Sequence, residues 1–178
     1  MGGAAGNGVD APLMSKSANN IKIEDMLGPI CKRMGWYIAV AESCTGGMVG
    51  GRITSVPGSS EYFSGGVIAY SNRLKTSLLG VPSELIDEEG AVSESVARAM
   101  AIGVIRATGS QVGLSTTGVA GPGSSDKKPP GTVYIAVKTP KVLDVKALSL
   151  SGSRREIREL TVSGALYFLV RVLEKADL

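Results

Sequence analysis

The stretch Trp36-Tyr37-Ile38-Ala39-Val40-Ala41-Glu42-Ser43-Cys44-Thr45-Gly46-Gly47 decides how the rest of the chain is read. The unbroken apolar run from Trp36 to Ala41 describes a short strand buried on both faces, as in a parallel sheet held between helices. Gly46 and Gly47 then turn the chain, and Met48, Val49 and Ile53 begin a helix. Strand, glycine loop and helix in this order make the opening unit of an α/β domain.

Upstream, Ile23, Met26, Leu27, Ile30 and Met34 fall at helical spacing, and Gly35 is placed to end that helix in a left-handed cap. Residues 1–20 carry no hydrophobic periodicity and are expected to be a flexible tail, leaving 21–178 as one domain. Downstream, the turn Val56-Pro57-Gly58-Ser59-Ser60 leads to a second expected strand, Gly66 to Tyr70. Arg73 to Leu79 makes two helical turns, and Val81-Pro82-Ser83 starts another short helix. Ser93 caps a helix through Thr108 that Gly109 stops, and Val112 to Thr117 is a third strand. A polar loop from Gly118 reaches Gly131, after which Thr132 to Lys138 and Val142 to Leu150 form a hairpin. Ser153 with Glu156 makes a capping box for a final helix carrying Ile157, Leu160, Leu166, Phe168 and Val172. The expected fold is a single three-layer α/β/α domain with a mixed sheet.

Composition narrows the chemistry. The 178 residues include no histidine, which excludes Ser-His-Asp, Cys-His and histidine-metal sites. Nineteen Lys and Arg are interspersed with 16 Asp and Glu for a net charge of +3, so nucleic acid is not the expected partner. Cys31 and Cys44 have no metal-binding spacing and suit a reduced, cytoplasmic protein. No apolar run approaches the roughly 18 residues of a membrane span, so no membrane partner is expected.

Two glycine loops each follow an expected strand: Ser43-Cys44-Thr45-Gly46-Gly47 and Gly118-Val119-Ala120-Gly121. Loops at the carboxyl ends of strands, with a helix N-terminus offering N–H groups, suit an anionic small molecule. Neither loop has the Gly-Lys-Ser/Thr of a nucleoside-triphosphate site. Without histidine, a hydroxyl nucleophile needs another base, and Lys75 follows the second strand by one helical turn, within reach of the crevice at Ser43. Tyr70, Ser71 and Asn72 cluster beside it. The competing reading of Lys75 is a solvated helix-face lysine, and that of Cys44 is a small buried apolar residue instead of a nucleophile. Arg154 sits in the first turn of the last helix, where the dipole opposes a cation, so an anionic ligand or acidic neighbour would explain it.

Six ordered motifs carry a family resemblance: Ala41-Glu42-Ser43-Cys44-Thr45-Gly46-Gly47, Pro57-Gly58-Ser59-Ser60, Tyr70-Ser71-Asn72 with Lys75, Gly90-Ala91-Val92-Ser93, Gly118-Val119-Ala120-Gly121-Pro122 and Pro130-Gly131-Thr132-Val133. From Ile21 to Leu173 the chain resembles the C-terminal domain of the competence/damage-inducible CinA family, which includes stand-alone nicotinamide mononucleotide deamidases. The resemblance implies hydrolysis of the carboxamide of nicotinamide mononucleotide to nicotinic acid mononucleotide and ammonia, with no metal or cofactor. It also implies a homodimer or higher homo-oligomer. By resemblance Ser60 is the nucleophile, Lys75 its base and Tyr70 an aid to proton transfer. Ser43 and Thr117 are further pocket residues, with Thr45, Gly46, Gly47, Gly118 and Gly121 lining the substrate loops. Arg154 matches an arginine that follows Gly-Asp in the family, whereas this chain reads Gly152-Ser153-Arg154. The family's domain also occurs fused to a larger N-terminal domain, so a non-catalytic nucleotide-binding or interaction module is the rival reading.

Strand geometry pulls against one of these roles. A strand from Gly66 to Tyr70 is about 17 Å long, so Ser60 meets Lys75 only if residues 60–65 fold back along it. Ser43 needs no such fold-back, and it stands as the alternative nucleophile or as an oxyanion and substrate contact.

Overall fold

The computed structural model describes residues 22–125 and 127–177, so the expected tail lies outside the described residues. Strand β1 (Ile38–Glu42) is buried along its whole length. Its period of two divides the interior: Ile38 and Val40 face one core and Ala39 and Ala41 the other. The first core is closed by a single 3-10 turn (Ile23–Met26) with α1 (Leu27–Met34), by α2 (Met48–Thr54) and by the long α6 (Arg154–Asp177). The second is closed by α3 (Asn72–Leu79), α4 (Ser83–Glu89) and α5 (Glu94–Thr108). Three layers result, as the sequence predicts. Side chains such as Leu114, Ile135 and Leu166 are wholly buried, each stabilising the fold by about 2 kcal/mol in transfer terms.

The sheet contains β2 (Phe63–Ile68), β3 (Val112–Gly118), β4 (Thr132–Lys138) and β5 (Leu143–Ser149) in the order β2-β1-β3-β4-β5. β1 runs parallel to β2 and β3, while β3-β4 and β4-β5 are antiparallel, so the sheet is mixed. Small residues let α5 lie close on it: a Cβ on Gly113 would stand 2.2 Å from the Ala101 carbonyl oxygen.

Two strands, β1 and β2, are offset from the sequence reading by two or more residues, while β3 and β5 differ from it by one residue at one or both ends. β1 starts at Ile38 because Tyr37 is 44% exposed and its N–H donates to the Gln111 side chain outside the ladder. β2 covers Phe63–Ile68 where the sequence predicts Gly66 to Tyr70, because its pairing is set by β1: Ile38 lies opposite Phe63 and Glu42 opposite Ile68. A strand's extent follows from its neighbour, and a glycine-rich strand such as Phe63-Ser64-Gly65-Gly66 shows little of its own pattern. At β1 the chain leaves toward β2 on one side, and it returns to β3 on the other. The carboxyl ends of β1 and β3 therefore border a crevice of the kind in which open α/β sheets bind ligands.

Candidate active site

Lys75 is the centre of that crevice. Ser71 caps α3, its Oγ accepting from the Leu74 N–H at 3.3 Å, which puts Lys75 in the first helical turn. Helical side chains point back toward the N-terminus, and here that direction leads under the sheet end. The side chain is 2% exposed, and Nζ donates to Ser43 Oγ at 3.0 Å, to the Ala69 carbonyl at 3.1 Å and to that of Tyr70 at 3.5 Å. Lysine is almost never buried without such partners.

Ser43 follows the last residue of β1, and its N–H donates to the Thr116 carbonyl on β3, so the sheet carries it to Lys75. Beyond Ser43 the chain makes a closed turn. The buried Glu42 carboxylate accepts from the N–H groups of Gly47 at 2.9 Å, Val49 at 3.1 Å and Gly50 at 2.8 Å, covering the start of α2. Thr45 Oγ1 pairs with Thr116 Oγ1 at 2.8 Å. Gly47 adopts φ +96, a conformation that favours glycine, and passes under Ile68. The N–H groups expected to meet an anion at this loop are thus held by the protein's own carboxylate.

A cavity of about 400 Å³ opens beside Ser43 and Lys75, a size suited to a small-molecule ligand. Its far wall is the second glycine loop with Thr117, Gly118, Gly121, Ser124 and Ser125. Thr117 Oγ1 donates to the Ala91 carbonyl at 2.7 Å. Arg154 stands at the rim, Nη1 donating to the Gly121 carbonyl at 2.7 Å and Nη2 to the Tyr70 hydroxyl at 2.8 Å. Lys128 donates to the Val92 carbonyl and lies 5.5 Å over the Tyr134 ring, pinning the end of the same loop.

Of the residues singled out from sequence, Ser43, Tyr70, Lys75, Thr117, Gly118, Gly121 and Arg154 line this cavity, and Thr45, Gly46, Gly47 and Ser60 do not. Ser60 is exposed in the turn Ser59–Glu61, just before the start of β2, while Lys75 lies past its end. The fold-back that would join them does not occur, because Phe63 to Gly65 are themselves part of the strand. Thr45, Gly46 and Gly47 are engaged in the turn that Glu42 closes. Cys44 does border the cavity, but burial pushes its thiol up to about 12, so it is a poor nucleophile at neutral pH.

Sequence reasoning passed over Ser124 and Ser125, which sit in a polar loop without any pattern, and Arg158. Arg158 Nε donates to the Cys44 carbonyl at 3.1 Å and Nη2 to that of Thr45 at 3.0 Å. Its spacing of four from Arg154 on one helix face was the available signal. Among the described residues no group of three or more His, Cys, Asp or Glu is placed to hold a metal ion. No helix among them is long and apolar enough to cross a membrane.

Comparison with known proteins adds a second line of observation. A family model described as CinA C-terminal domain matches residues 20–173. A CinA-like protein of Desulfotalea psychrophila is 49% identical over 152 residues, which cover 85% of this chain and 37% of that protein. The chain therefore spans little more than a third of the length of such curated relatives, 37% for this one and 37% for a putative competence-damage inducible protein of Desulforudis audaxviator. Among solved structures, the competence/damage inducible protein CihA from Agrobacterium tumefaciens aligns with a TM-score of 0.80 at 34% identity, covering 89% of this chain and 99% of that one.

Proposed function

The chain belongs to the CinA family, matching its C-terminal domain, and from that premise we propose that it is an amidase that hydrolyses nicotinamide mononucleotide to nicotinic acid mononucleotide and ammonia. The observation that carries the reading is the Ser43 Oγ to Lys75 Nζ contact of 3.0 Å at the wall of the cavity. A serine beside a buried lysine is an arrangement that supports amide hydrolysis in a chain without histidine.

In the proposed reaction Lys75 acts as the amine, its two N–H groups kept on the Ala69 and Tyr70 carbonyls and its lone pair turned to Ser43, and it takes the Ser43 proton as Oγ attacks the carboxamide carbon. The tetrahedral intermediate collapses with cleavage of the C–N bond, and the proton passes from Lys75 to the departing nitrogen. Water, deprotonated by Lys75, then attacks the acyl-enzyme and frees the carboxylate and Ser43. The Tyr70 hydroxyl, held by Arg154, is placed to relay a proton at the cavity mouth. The start of α2 is covered by Glu42, so the negative charge of the phosphate falls to the opposite wall, where Arg154, Ser124 and Ser125 offer donors.

The test is ammonia release with product identification from purified protein and nicotinamide mononucleotide, beside Ser43→Ala, Lys75→Met and Ser60→Ala. The expected result is turnover by the parent and by Ser60→Ala, and none by the other two. A fully active Lys75→Met enzyme would end the dyad reading. A silent parent whose melting temperature rises with the nucleotide would instead establish the binding-module reading.

A further inference from the structure

Two arginines stand one turn apart at the start of α6, and they reach different loops. Arg154 serves Gly121 and Tyr70, on the substrate side of the cavity. Arg158 serves the carbonyl oxygens of Cys44 and Thr45, the two residues that follow Ser43. A planar guanidinium satisfies both at once from a fixed fork, a geometry that the flexible stem of a lysine does not supply. Gly46 leaves room for it: a Cβ there would stand 3.3 Å from Arg158 Nη2.

On its other side the turn is tied to the start of α2, because the Glu42 carboxylate accepts from the N–H groups of Gly47, at the end of the turn, and of Val49 and Gly50 in the helix. We propose that Arg158, with Glu42, is a positioning residue for the Ser43 nucleophile: Arg158 holds turn 42–47 by the Cys44 and Thr45 carbonyls, Glu42 ties the turn to the start of α2, and the pair so keeps Ser43 Oγ against Lys75 Nζ. The proposal rests on the reading of Ser43 and Lys75 as the amidase dyad. Arg158 does not line the cavity and reaches its border only through Cys44, so loosening it displaces the turn that carries the nucleophile and leaves the second glycine loop in place. A displacement of about 1 Å in a reacting group costs on the order of a hundredfold in rate.

The test compares the full chain with Arg158→Met, Arg158→Lys and Arg155→Met, the last removing an exposed charge that pairs only with Glu159 among the described contacts. With nicotinamide mononucleotide, Arg158→Met is expected to lower kcat by roughly 30- to 100-fold with KM within about threefold. Arg158→Lys should fall between, because an ammonium on a flexible stem lacks the fixed fork that fits both carbonyls, and Arg155→Met should match the parent. A parent-like kcat in Arg158→Met, a loss carried by KM, or an equal loss in Arg155→Met would overturn the clamp. If Arg158→Met does not fold, Arg158→Lys decides by the same split.

A second readout separates the clamp from the choice of substrate. A fluorophosphonate probe reacts with Ser43 Oγ by forming an O–P bond as fluoride leaves and the seryl proton passes to Lys75, and intact mass reports the rate. Slower labelling of Arg158→Met than of the parent supports the clamp even if the parent does not turn over the nucleotide. Equal labelling rates, or a parent that is never labelled at Ser43, overturn it.

Discussion

The two glycine loops look alike in sequence and do opposite things in the structure. Each follows a strand of the parallel part of the sheet, β1 or β3. Residues 42–47 form a turn held from both sides, Glu42 accepting from the N–H groups of Gly47 and of the first turn of α2, and Arg158 donating to the carbonyls of Cys44 and Thr45. Residues 118–125 face the cavity and supply its wall. The difference comes from one buried carboxylate at the end of β1. It occupies the place an anionic ligand would otherwise take, so on the proposed reading the first loop presents the nucleophile and the second receives the substrate.

The largest expected effect breaks the first loop chemically. Ser43→Ala and Lys75→Met should each lower kcat by about a thousandfold or more, with circular dichroism unchanged. Next comes the turn itself. Glu42→Ala leaves the N–H groups of Gly47, Val49 and Gly50 without their acceptor. A loss of about 3 kcal/mol is expected, seen as a fall of roughly 10 °C in melting temperature; an unchanged midpoint would show that water replaces the carboxylate at no cost. In the second loop the effect should appear in binding. Arg154→Met is expected to raise KM for the nucleotide about tenfold with a smaller change in kcat, the loss of one charge-assisted contact.

Smaller effects sharpen the contrast. Burial raises the thiols of Cys31 and Cys44 from 9.0 to about 12. Because the folded pKa lies above the unfolded value, the folded chain keeps protons the unfolded chain has released. Stability from this source is complete below about pH 9 and declines as pH rises toward 12. Iodoacetamide at about pH 8 should accordingly leave native Cys44 unlabelled, as mass spectrometry would show. Smallest of all, Ser60→Ala should keep kcat and KM within about twofold, since Ser60 is exposed near the opposite end of β2.

Much of the fold was legible. The run Trp36 to Ala41 announced β1 because a strand buried on both faces must be apolar throughout, and the box of Ser153 and Glu156 marked the start of α6, where Ser153 N–H donates to Glu156 Oε2 at 2.8 Å. β2 was placed three residues too late, because Gly65 and Gly66 carry no side chains to reveal a pattern. Within the site, Lys75 and Ser43 could be read together because each lies just beyond a strand end. Arg158 could not, since its partners are backbone carbonyls more than a hundred residues away.

What the sequence determined by itself was the order of strands and helices and the kind of base available: without histidine, a serine in this chain turns to lysine. Which serine meets that lysine was decided only in the tertiary structure. Ser43 and Ser60 both lie within about 35 positions of Lys75 along the chain, but the β1-β2 register puts one beside Lys75 and the other near the far end of the sheet. The same holds for the first loop. Its glycines advertise an anion site, and only folding shows that Glu42 already fills it, because strand β1 ends where its side chain meets the N–H groups of α2.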